Sequence, residues 1–429
     1  MMKRIMIGIV SVIVVCTVTF LIIYTPFYVV QHLPEDPYSV ARRALKNGPL
    51  IDGHNGLPNN LMRLLKNRLQ EFDYRQNLTD DPIWGTEACA NCHSDIPRLV
   101  QGLVGSMWWV AGTACETEFK DAVELTMEQI DVISRFTDQY RDVIQFSTSP
   151  SDIEYARYDS KIGSLIRIEG GHAIDNRLSV LRNYYKLGAR AMTLAHNCNT
   201  PWVESSIIDE HETEDAERNS TGLSEFGLLV VKEMNRLGMI IDLTHSSLQT
   251  QMDVFNASRA PVIFSHSNAY ELCTDHRNVR GDVLRLLRDT GGLVMVNFHA
   301  PSVNCSAEAT IAEVAEHVNY IRNVTGIEHV GIGSLFDTTN STVEGLEDVT
   351  KFVELFAYLA SDEVNPWTEL ELEQLAGKNF LRVFEAVERV REEMREEMPA
   401  EDWIAEEELS NHTECITHLV DARFYFDEL

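Results

Sequence analysis

Short apolar runs of strand length recur along this chain, and each run is followed by a polar residue with a chemically capable side chain. Between the runs, apolar residues are spaced as on one face of a helix. Because the runs are predominantly apolar, both of their faces are expected to be buried, as in a parallel sheet covered by helices. The predicted strands are 49–51, 164–168, 191–194, 239–243, 261–264, 293–296 and 329–332, and the predicted helices are 178–187, 224–237, 247–257, 310–324 and 370–392.

The alternation of strands and helices predicts an α/β fold. A doubly wound sheet would also alternate, but it binds ligands at one crevice, often beside a glycine-rich phosphate loop, and the sequence shows no such loop. Polar side chains at the carboxyl ends of many different strands instead favour a TIM-type (β/α)8 barrel, which we place at residues 48–395.

The N-terminus has an almost unbroken apolar run over residues 5–24, preceded by two basic residues. The run is long enough to cross a bilayer and lacks a clear cleavage site, so it predicts a single transmembrane signal anchor within residues 1–24. A cleaved signal peptide is the alternative. The basic residues keep the amino end in the cytosol and place the remainder outside the cell or in the lumen. Residues 25–47 then form a stalk, and residues 396–429 an acidic tail.

Composition agrees with this placement. A formal charge of -30 over 429 residues argues against nucleic acid and anionic membrane surfaces as partners. Glycosylation sequons, which are modified only in secretory compartments, occur at Asn77, Asn219, Asn256, Asn304, Asn323, Asn340 and Asn411. The last four residues differ by one from a Lys-Asp-Glu-Leu retrieval signal, which would allow retention in the endoplasmic reticulum.

Four strand-terminal residues carry the candidate chemistry: His54, Glu169, His245 and His266. A barrel gathers strand ends at one mouth, so these side chains are expected to meet despite their separation in sequence. Imidazoles combined with a carboxylate suit zinc, and a carboxylate can bridge two ions that activate a water molecule. A single strand-end histidine is usually a structural residue, but four such positions in one chain favour a metal site.

Several motifs resemble the membrane dipeptidases of the renal type, which are dinuclear zinc enzymes on a TIM-like barrel that hydrolyse dipeptides. The resemblance covers residues 48–395. The motifs are Ile51-Asp52-Gly53-His54-Asn55, Ile168-Glu169-Gly170-Gly171-His172, Leu194-Ala195-His196-Asn197-Cys198-Asn199-Thr200-Pro201-Trp202, Ile241-Asp242-Leu243-Thr244-His245, Phe264-Ser265-His266-Ser267-Asn268-Ala269-Tyr270, Arg277-Asn278-Val279 and Glu344-Gly345-Leu346-Glu347-Asp348.

The resemblance implies that Glu169 bridges two zinc ions, that His245 and His266 complete one site, and that His54 belongs to the other. It also implies that His196 stabilises the tetrahedral intermediate and binds substrate. Arg277 would bind the carboxylate of the dipeptide, a task that suits a planar guanidinium.

Two positions depart from the family pattern. Gly56 stands where the family has a metal-binding aspartate, and Leu335 stands where it has an aspartate that handles protons or the substrate amine. Asp337 follows two residues later and is expected to substitute in catalysis. Because a site with only His54 and the shared Glu169 holds metal weakly, we expect one firm zinc ion and one that is weak or absent.

These observations predict a zinc-dependent dipeptidase that hydrolyses dipeptides outside the cytosol through a metal-activated hydroxide. The alternative, motivated by Gly56 and Leu335, is a catalytically weakened barrel that acts as a binding or receptor protein.

Cysteines beyond the anchor are expected to be oxidised. The resemblance implies disulfides Cys115–Cys198 and Cys273–Cys305, and it implies that Cys415 links two subunits of a homodimer. Cys89 and Cys92 precede His93 with the spacing of a c-type haem site, but a local disulfide is the favoured interpretation and a zinc-binding pair is a third.

Overall fold

The protein is described by a computed structural model that covers Met6 and residues 13–20, 35–85, 87–210, 221–306 and 308–409. Within these residues, nine parallel strands form one sheet. They are β1 (Leu50–Asn55), β2 (Val104–Gly112), β3 (Ile144–Phe146), β4 (Ile162–Glu169), β5 (Ala189–Thr193), β6 (Ile240–Asp242), β7 (Ile263–Phe264), β8 (Leu293–Val296) and β9 (Val330–Ile332).

Eight of these strands close into a barrel, as the sequence predicts. The hydrogen-bonded order is β1, β2, β4, β5, β6, β7, β8 and β9, and β9 pairs with β1 to complete the circle. The remaining strand, β3, pairs with the amino-terminal end of β4. Neither β2 nor β3 belongs to the apolar runs identified in the sequence.

Helices between the strands cover the outside of the barrel. Their positions confirm the five predicted helices with end shifts of one residue or so, and the last of them is a short helix continued through a π-turn into a longer one. The helices are α1 (Pro37–Asn47), α2 (Leu57–Leu65), α3 (Ile96–Gln101), α4 (Ala122–Gln139), α5 (Pro150–Tyr158), α6 (Leu178–Lys186), α7 (Glu225–Leu237), α8 (Leu248–Ala257), α9 (Gly281–Asp289), α10 (Ala300–Asn304), α11 (Ile311–Thr325), α12 (Phe352–Ala360), α13 (Glu369–Glu373) and α14 (Asn379–Glu393).

The interior of the barrel is filled with side chains at the end opposite the carboxyl ends of the strands. Trp108 of β2 is buried there and contacts Phe380 of α14 edge to face, with 5.7 Å between the ring centroids. Leu165, Ile240 and Met295 from other strands belong to the same buried cluster. Side chains thus fill this end of the barrel, and the opposite mouth, at the carboxyl ends of the strands, is where a site is expected.

The segments immediately before and after the strands and helices of the barrel, helix α1 and residues 396–409, both pack on the barrel. Helix α1 buries Ala41 and Ala44, and Arg43 of the same helix pairs with Glu369 at 2.7 Å, so the body begins before residue 48. Beyond α14, Ile404 and Leu409 are buried, because this part of the acidic segment folds back onto the core. Residues 396–409 are thus not wholly solvated.

The predicted transmembrane segment, residues 1–24, falls largely outside the described residues, and residues 13–20 are helical. Among the residues described, no helix has both the length and the apolar character needed to span a bilayer.

The structure confirms the disulfides Cys115–Cys198 and Cys273–Cys305, and it pairs Cys89 with Cys92. Cys415, Asn219 and Asn411 lie outside the described residues. The sequon asparagines at 77, 256, 323 and 340 are exposed, whereas Asn304 is half-buried.

Candidate metal centre

The barrel brings the four strand-terminal candidates together at its carboxyl mouth. His54 lies near the end of β1 and Glu169 is the last residue of β4. His245 and His266 follow β6 and β7 directly in the chain. All four side chains are buried or nearly so.

The ligand atoms of this group face one another. The Nε2 atoms of His245 and His266 lie 3.1 Å apart, and Nε2 of His266 lies 3.8 Å from Oε1 of Glu169. Nε2 of His54 lies 3.1 Å from the same carboxylate oxygen. The arrangement forms a chain of three imidazoles around one carboxylate.

The donor set fits a zinc ion. Two nitrogens bound to a tetrahedral zinc at about 2.0–2.1 Å would be separated by roughly 3.3 Å, close to the distance between His245 and His266. Nδ1 of His266 is within 2.8 Å of Ser265 Oγ, which fixes the ring and leaves Nε2 free to bind metal. Among the described residues, no hydrogen-bond partner is found for the buried Nδ1 of His245.

The electrostatics keep these imidazoles in the neutral form that binds metal. Burial lowers the pKa of His245 well below its ordinary value, and the charges of His196 and Arg277 act in the same direction. Burial likewise lowers the pKa of His266, with a further contribution from His54. Neutral imidazole is the ligating state, so the site is prepared for a cation.

Glu169 is held as a carboxylate. Burial alone would raise its pKa, but His54 and the guanidinium of Arg167 more than offset this, and the pKa lies well below its ordinary range. Nη2 of Arg167 donates to Oε1 of Glu169 at 3.0 Å. Arg167 was not identified as a site residue from the sequence, although it lies in a predicted strand.

Two buried aspartates shape the strand ends that carry the histidines. Asp242 accepts hydrogen bonds from the backbone N–H groups of Thr244 and Ser265 at 3.1 and 3.0 Å. Asp52 accepts a bond from the backbone of Ser334 at 2.8 Å and a weaker one from the backbone of His54 at 3.3 Å. The bonds of Asp242 tie β6 to the segment after β7, and those of Asp52 tie β1 to the segment after β9, which fixes the positions of the candidate ligands.

A cavity of about 380 Å³ opens beside the metal centre. Its lining residues include His196 and Glu169 and also Gly56, Thr113 and Thr338. Nε2 of His196 lies 3.9 Å from Oε2 of Glu169, and its ring contacts that of His245 edge to face at a centroid distance of 4.8 Å. The half-buried His196 is thus placed between the cavity and the ligands.

Arg277 and one disulfide lie near the candidate ligands, and the charge of Arg277 acts on His245. Arg277 is half-buried and its Nε lies 3.5 Å from Oδ1 of Asp275. The disulfide between Cys115 and Cys198 joins the loop after β2 to the loop after β5, and Sγ of Cys115 lies 4.0 Å from Nδ1 of His196. The disulfide therefore supports the loop that carries His196.

Asp337 has a different environment from the one expected of a catalytic residue. Its carboxylate is buried and accepts hydrogen bonds from the backbone N–H of His93 at 2.9 Å, from Nδ2 of Asn55 at 2.6 Å and from the hydroxyl of Ser94. It is not among the residues that line the cavity. The carboxylate is engaged in connecting β1 to the segment that follows the Cys89–Cys92 disulfide.

Gly56 is tightly packed against the segment after β9. Its backbone N–H donates to the carbonyl of Phe336 at 3.0 Å, and a Cβ at position 56 would lie only 2.5 Å from the carbonyl oxygen of Asp337. Such a Cβ would also collide with the hydroxyl of Thr338. Leu335 is buried and has a φ of 68°. The two departures from the family pattern therefore lie in one coupled piece of structure.

Two other cysteine–histidine groups do not supply metal ligands. Cys115 and Cys198 lie close to His172, but their sulfurs are bonded to each other. The same holds for Cys89 and Cys92, so the local disulfide is confirmed over the haem and zinc interpretations.

Comparisons with known proteins bear on the family to which the chain belongs. A sequence profile of the family described as membrane dipeptidase, peptidase family M19, matches residues 39–398. Dipeptidase 3 of Homo sapiens is 40% identical over 380 residues, which cover 89% of this chain and 73% of the relative. Dipeptidase 3 of Mus musculus is 40% identical over 376 residues, covering 88% and 71% respectively.

Solved structures share the fold. The probable dipeptidase PvdM from Pseudomonas aeruginosa aligns with a TM-score of 0.70 at 18% identity, covering 83% of this chain and 100% of that one. A metallopeptidase from Rhodobacter sphaeroides, crystallised with a phosphinate mimic of the dipeptide L-Ala-D-Ala, aligns with a TM-score of 0.67 at 23% identity over 79% of this chain and 99% of that one. The extent of the profile match and the identity to the curated relatives show that the chain belongs to the membrane dipeptidase family, peptidase family M19, a family of metal-dependent peptide hydrolases.

Proposed function

We propose that this protein is a zinc-dependent dipeptidase that acts on dipeptides outside the cytosol. One observation carries the proposal: His245, His266 and Glu169 converge beside a cavity that is also lined by His196. The cavity volume, about 380 Å³, is at the small end of ligand pockets, which suits a substrate of two residues.

The residues around the cavity would divide the work of peptide hydrolysis. Zinc, when bound to His245, His266 and Glu169, supplies Lewis-acid activation of water and of the scissile carbonyl. His196, beside Glu169 at the cavity wall, would donate a hydrogen bond to the oxygen on which negative charge develops. Arg277 would bind the substrate carboxylate, because its planar fork matches that group.

The hydrogen bonds of Asp337 favour a second candidate function. Its carboxylate already accepts three hydrogen bonds, so its expected role in proton transfer finds no support in its surroundings. Glu169 is the carboxylate among the lining residues of the cavity. A barrel that binds small peptides but turns them over slowly, acting as a binding or receptor protein, is therefore the alternative.

The test is hydrolysis of a simple dipeptide by the purified full-length protein with added zinc. His266→Ala removes a proposed ligand and is expected to abolish turnover. His329→Ala is the matched control, because His329 lies at the opposite, amino end of β9. Equal loss of activity in both variants would indicate general damage rather than loss of a metal ligand, and turnover by His266→Ala at the native rate would refute the proposed site.

The two departures from the family pattern, Gly56 and Leu335, are tested in the same dipeptide assay with Gly56→Asp, Leu335→Asp and the double variant. Leu335 has a left-handed φ, which aspartate tolerates better than leucine, so this exchange should fold. Gly56→Asp must displace the backbone at Asp337, so we expect it to gain no activity by itself. A native rate close to that of the double variant supports the active dipeptidase; activity only in the double variant supports the binding protein.

The proposal includes a single-pass membrane anchor at residues 1–24, with the barrel extracellular or lumenal and retention in the endoplasmic reticulum allowed by the C-terminal residues. It also includes a homodimer linked through Cys415. Non-reducing electrophoresis of the native protein and of Cys415→Ser tests the dimer: the native protein should migrate as a dimer and the variant as a monomer. A monomeric band for both would exclude the intersubunit disulfide.

A further inference from the structure

Arg167 is a fully buried cation inside the barrel that the proposed reaction leaves without a role. It lies on β4 two residues before Glu169, so both side chains point to the same face of the strand. Its side chain is 0% exposed. Burying an unpaired cation is costly, and a guanidinium in such a place must be matched by buried acceptors.

Three acceptors surround the guanidinium. Nη1 donates to Oδ2 of Asp242 at 2.7 Å and to the hydroxyl of Thr193 at 2.5 Å. Nη2 donates to Oε1 of Glu169 at 3.0 Å. Asp242 is itself fixed by the turn that leads to His245, so Arg167 couples the carboxylate of Glu169 to the backbone that carries another ligand.

The contact with Oε1 of Glu169 competes directly with a metal ion. A carboxylate oxygen offers about two lone-pair directions. One direction at Oε1 is used by Arg167, and Nε2 of His54 approaches the same oxygen at 3.1 Å. Neither contact involves Oε2, which lies 3.9 Å from Nε2 of His196 and would be the oxygen that binds the first ion. If His54 donates a proton there, its Nε2 is not available as a ligand. A second ion on the His54 side would also face the fixed positive charge of Arg167 and would find no side-chain ligand at Gly56.

We infer that the guanidinium of Arg167 takes the place of the second metal ion at Glu169. It is a positioning residue: it balances the charge of Glu169, holds Oε1 of that carboxylate by a hydrogen bond, and leaves a centre that holds one zinc ion. The inference rests on the proposed zinc chemistry, but it concerns metal occupancy rather than turnover.

The test is zinc content and zinc titration of the purified full-length protein by elemental analysis and competition with a chelating indicator. The native protein should hold one zinc ion per chain. Arg167→Met should bind a second ion at least ten times more tightly than the native protein does, whereas Arg167→Lys, which keeps the charge, should behave like the native protein. Two tightly held ions in the native protein, or unchanged second-ion affinity in a folded Arg167→Met, would overturn the inference.

Arg167→Met leaves Asp242 without its cation, so Arg167→Met with Asp242→Asn is prepared in parallel, and circular dichroism verifies folding.

His54→Ala gives an independent measurement that does not depend on these variants. It should leave the single zinc ion in place with affinity within twofold, while His266→Ala should lose it. Loss of bound zinc in His54→Ala would overturn the inference. Dipeptide hydrolysis is scored separately: one bound zinc without turnover refutes the proposed dipeptidase and leaves the role of Arg167 intact.

Discussion

Asp337 and Glu169 show how the partners of a buried carboxylate decide what the residue does. Both carboxylates lie near the barrel mouth and both are largely buried. Glu169 contacts imidazoles and one guanidinium and lines the cavity. Asp337 accepts hydrogen bonds from three neutral donors and does not line the cavity. The surroundings of Glu169 support the proposed metal binding, and those of Asp337 support a structural role.

Asp337→Asn should destabilise the protein. All three partners of the carboxylate are donors, so the amide NH₂ of asparagine must face one of them, and we expect a loss of about 1–3 kcal/mol in the free energy of unfolding. Denaturant unfolding measures it, with Asp138→Asn at an exposed helix position as the control. Unchanged stability together with a fall in kcat would instead make Asp337 a catalytic residue.

Glu118 predicts a pH dependence of stability. Burial, with the charge of Asp175 added, raises the pKa of Glu118 to about 7. The protonated form is thus favoured in the folded state, and the stability that this contributes is present below the unfolded pKa and is lost as the pH rises through about 7.

Glu118→Gln stays neutral at every pH, so it should be more stable than the native protein at pH 8 by about 1 kcal/mol, allowing for its partial exposure, and nearly equal at pH 4. Thermal unfolding across this range is the measurement. The exposed Glu116→Gln should show no such difference, and a gain that is the same at both pH values would contradict the assigned cause.

The convergence of the four candidate ligands could be predicted from the sequence because each follows an apolar run, and a barrel brings strand ends to one mouth. The role of Arg167 could not be predicted. A single charged residue within an apolar run does not indicate its partners until the register of β4, β5 and β6 is known. The hydrogen bonds of Asp337 could not be predicted either, because His93 and Ser94 lie far from it in the sequence.

At the level of secondary structure, most of the barrel followed from apolar patterning, and β2 was the notable exception. Glycine and serine at positions 105 and 106 and adjacent tryptophans at 108 and 109 give this strand neither an aliphatic run nor an alternating pattern. Both tryptophans are buried, one towards the barrel interior and the other towards the helices outside, because successive strand residues face opposite sides.

The loops at the mouth depend on their disulfides to different degrees. Cys115–Cys198 spans 83 residues, so Cys115→Ala with Cys198→Ala should cost roughly 2–5 kcal/mol. Removal of Cys89–Cys92, which spans 3 residues, should cost less because it closes a much shorter loop. Chemical unfolding of the two double variants compares them. An equal loss in both would show that native contacts, rather than loop closure, determine the effect.

At the scale of the whole molecule, exposure decides which sequons can be modified. Asn77, Asn256, Asn323 and Asn340 are exposed on the barrel surface, whereas Asn304 is half-buried, donates to Glu313 at 2.6 Å and precedes the disulfide-bonded Cys305. If the barrel faces the lumen, as we propose, these four sites are available to the glycosylation machinery and Asn304 is not.

Single Asn→Gln variants at the four exposed positions should each increase electrophoretic mobility, and Asn304→Gln should leave it unchanged. Treatment with a glycosidase that removes N-linked glycans should bring all variants to one mobility. A native protein that does not shift on this treatment would place the barrel on the cytosolic side or show that no sequon is used.

The packing of Gly56 against the carbonyl of Asp337 has a consequence for the design of variants. An acidic side chain placed at position 56 must push the neighbouring backbone aside, so position 56 and residues 335–338 have to be redesigned as one unit. A second metal site engineered on the His54 side would therefore need a replaced loop rather than a point mutation, together with removal of the cation that we infer to act at position 167.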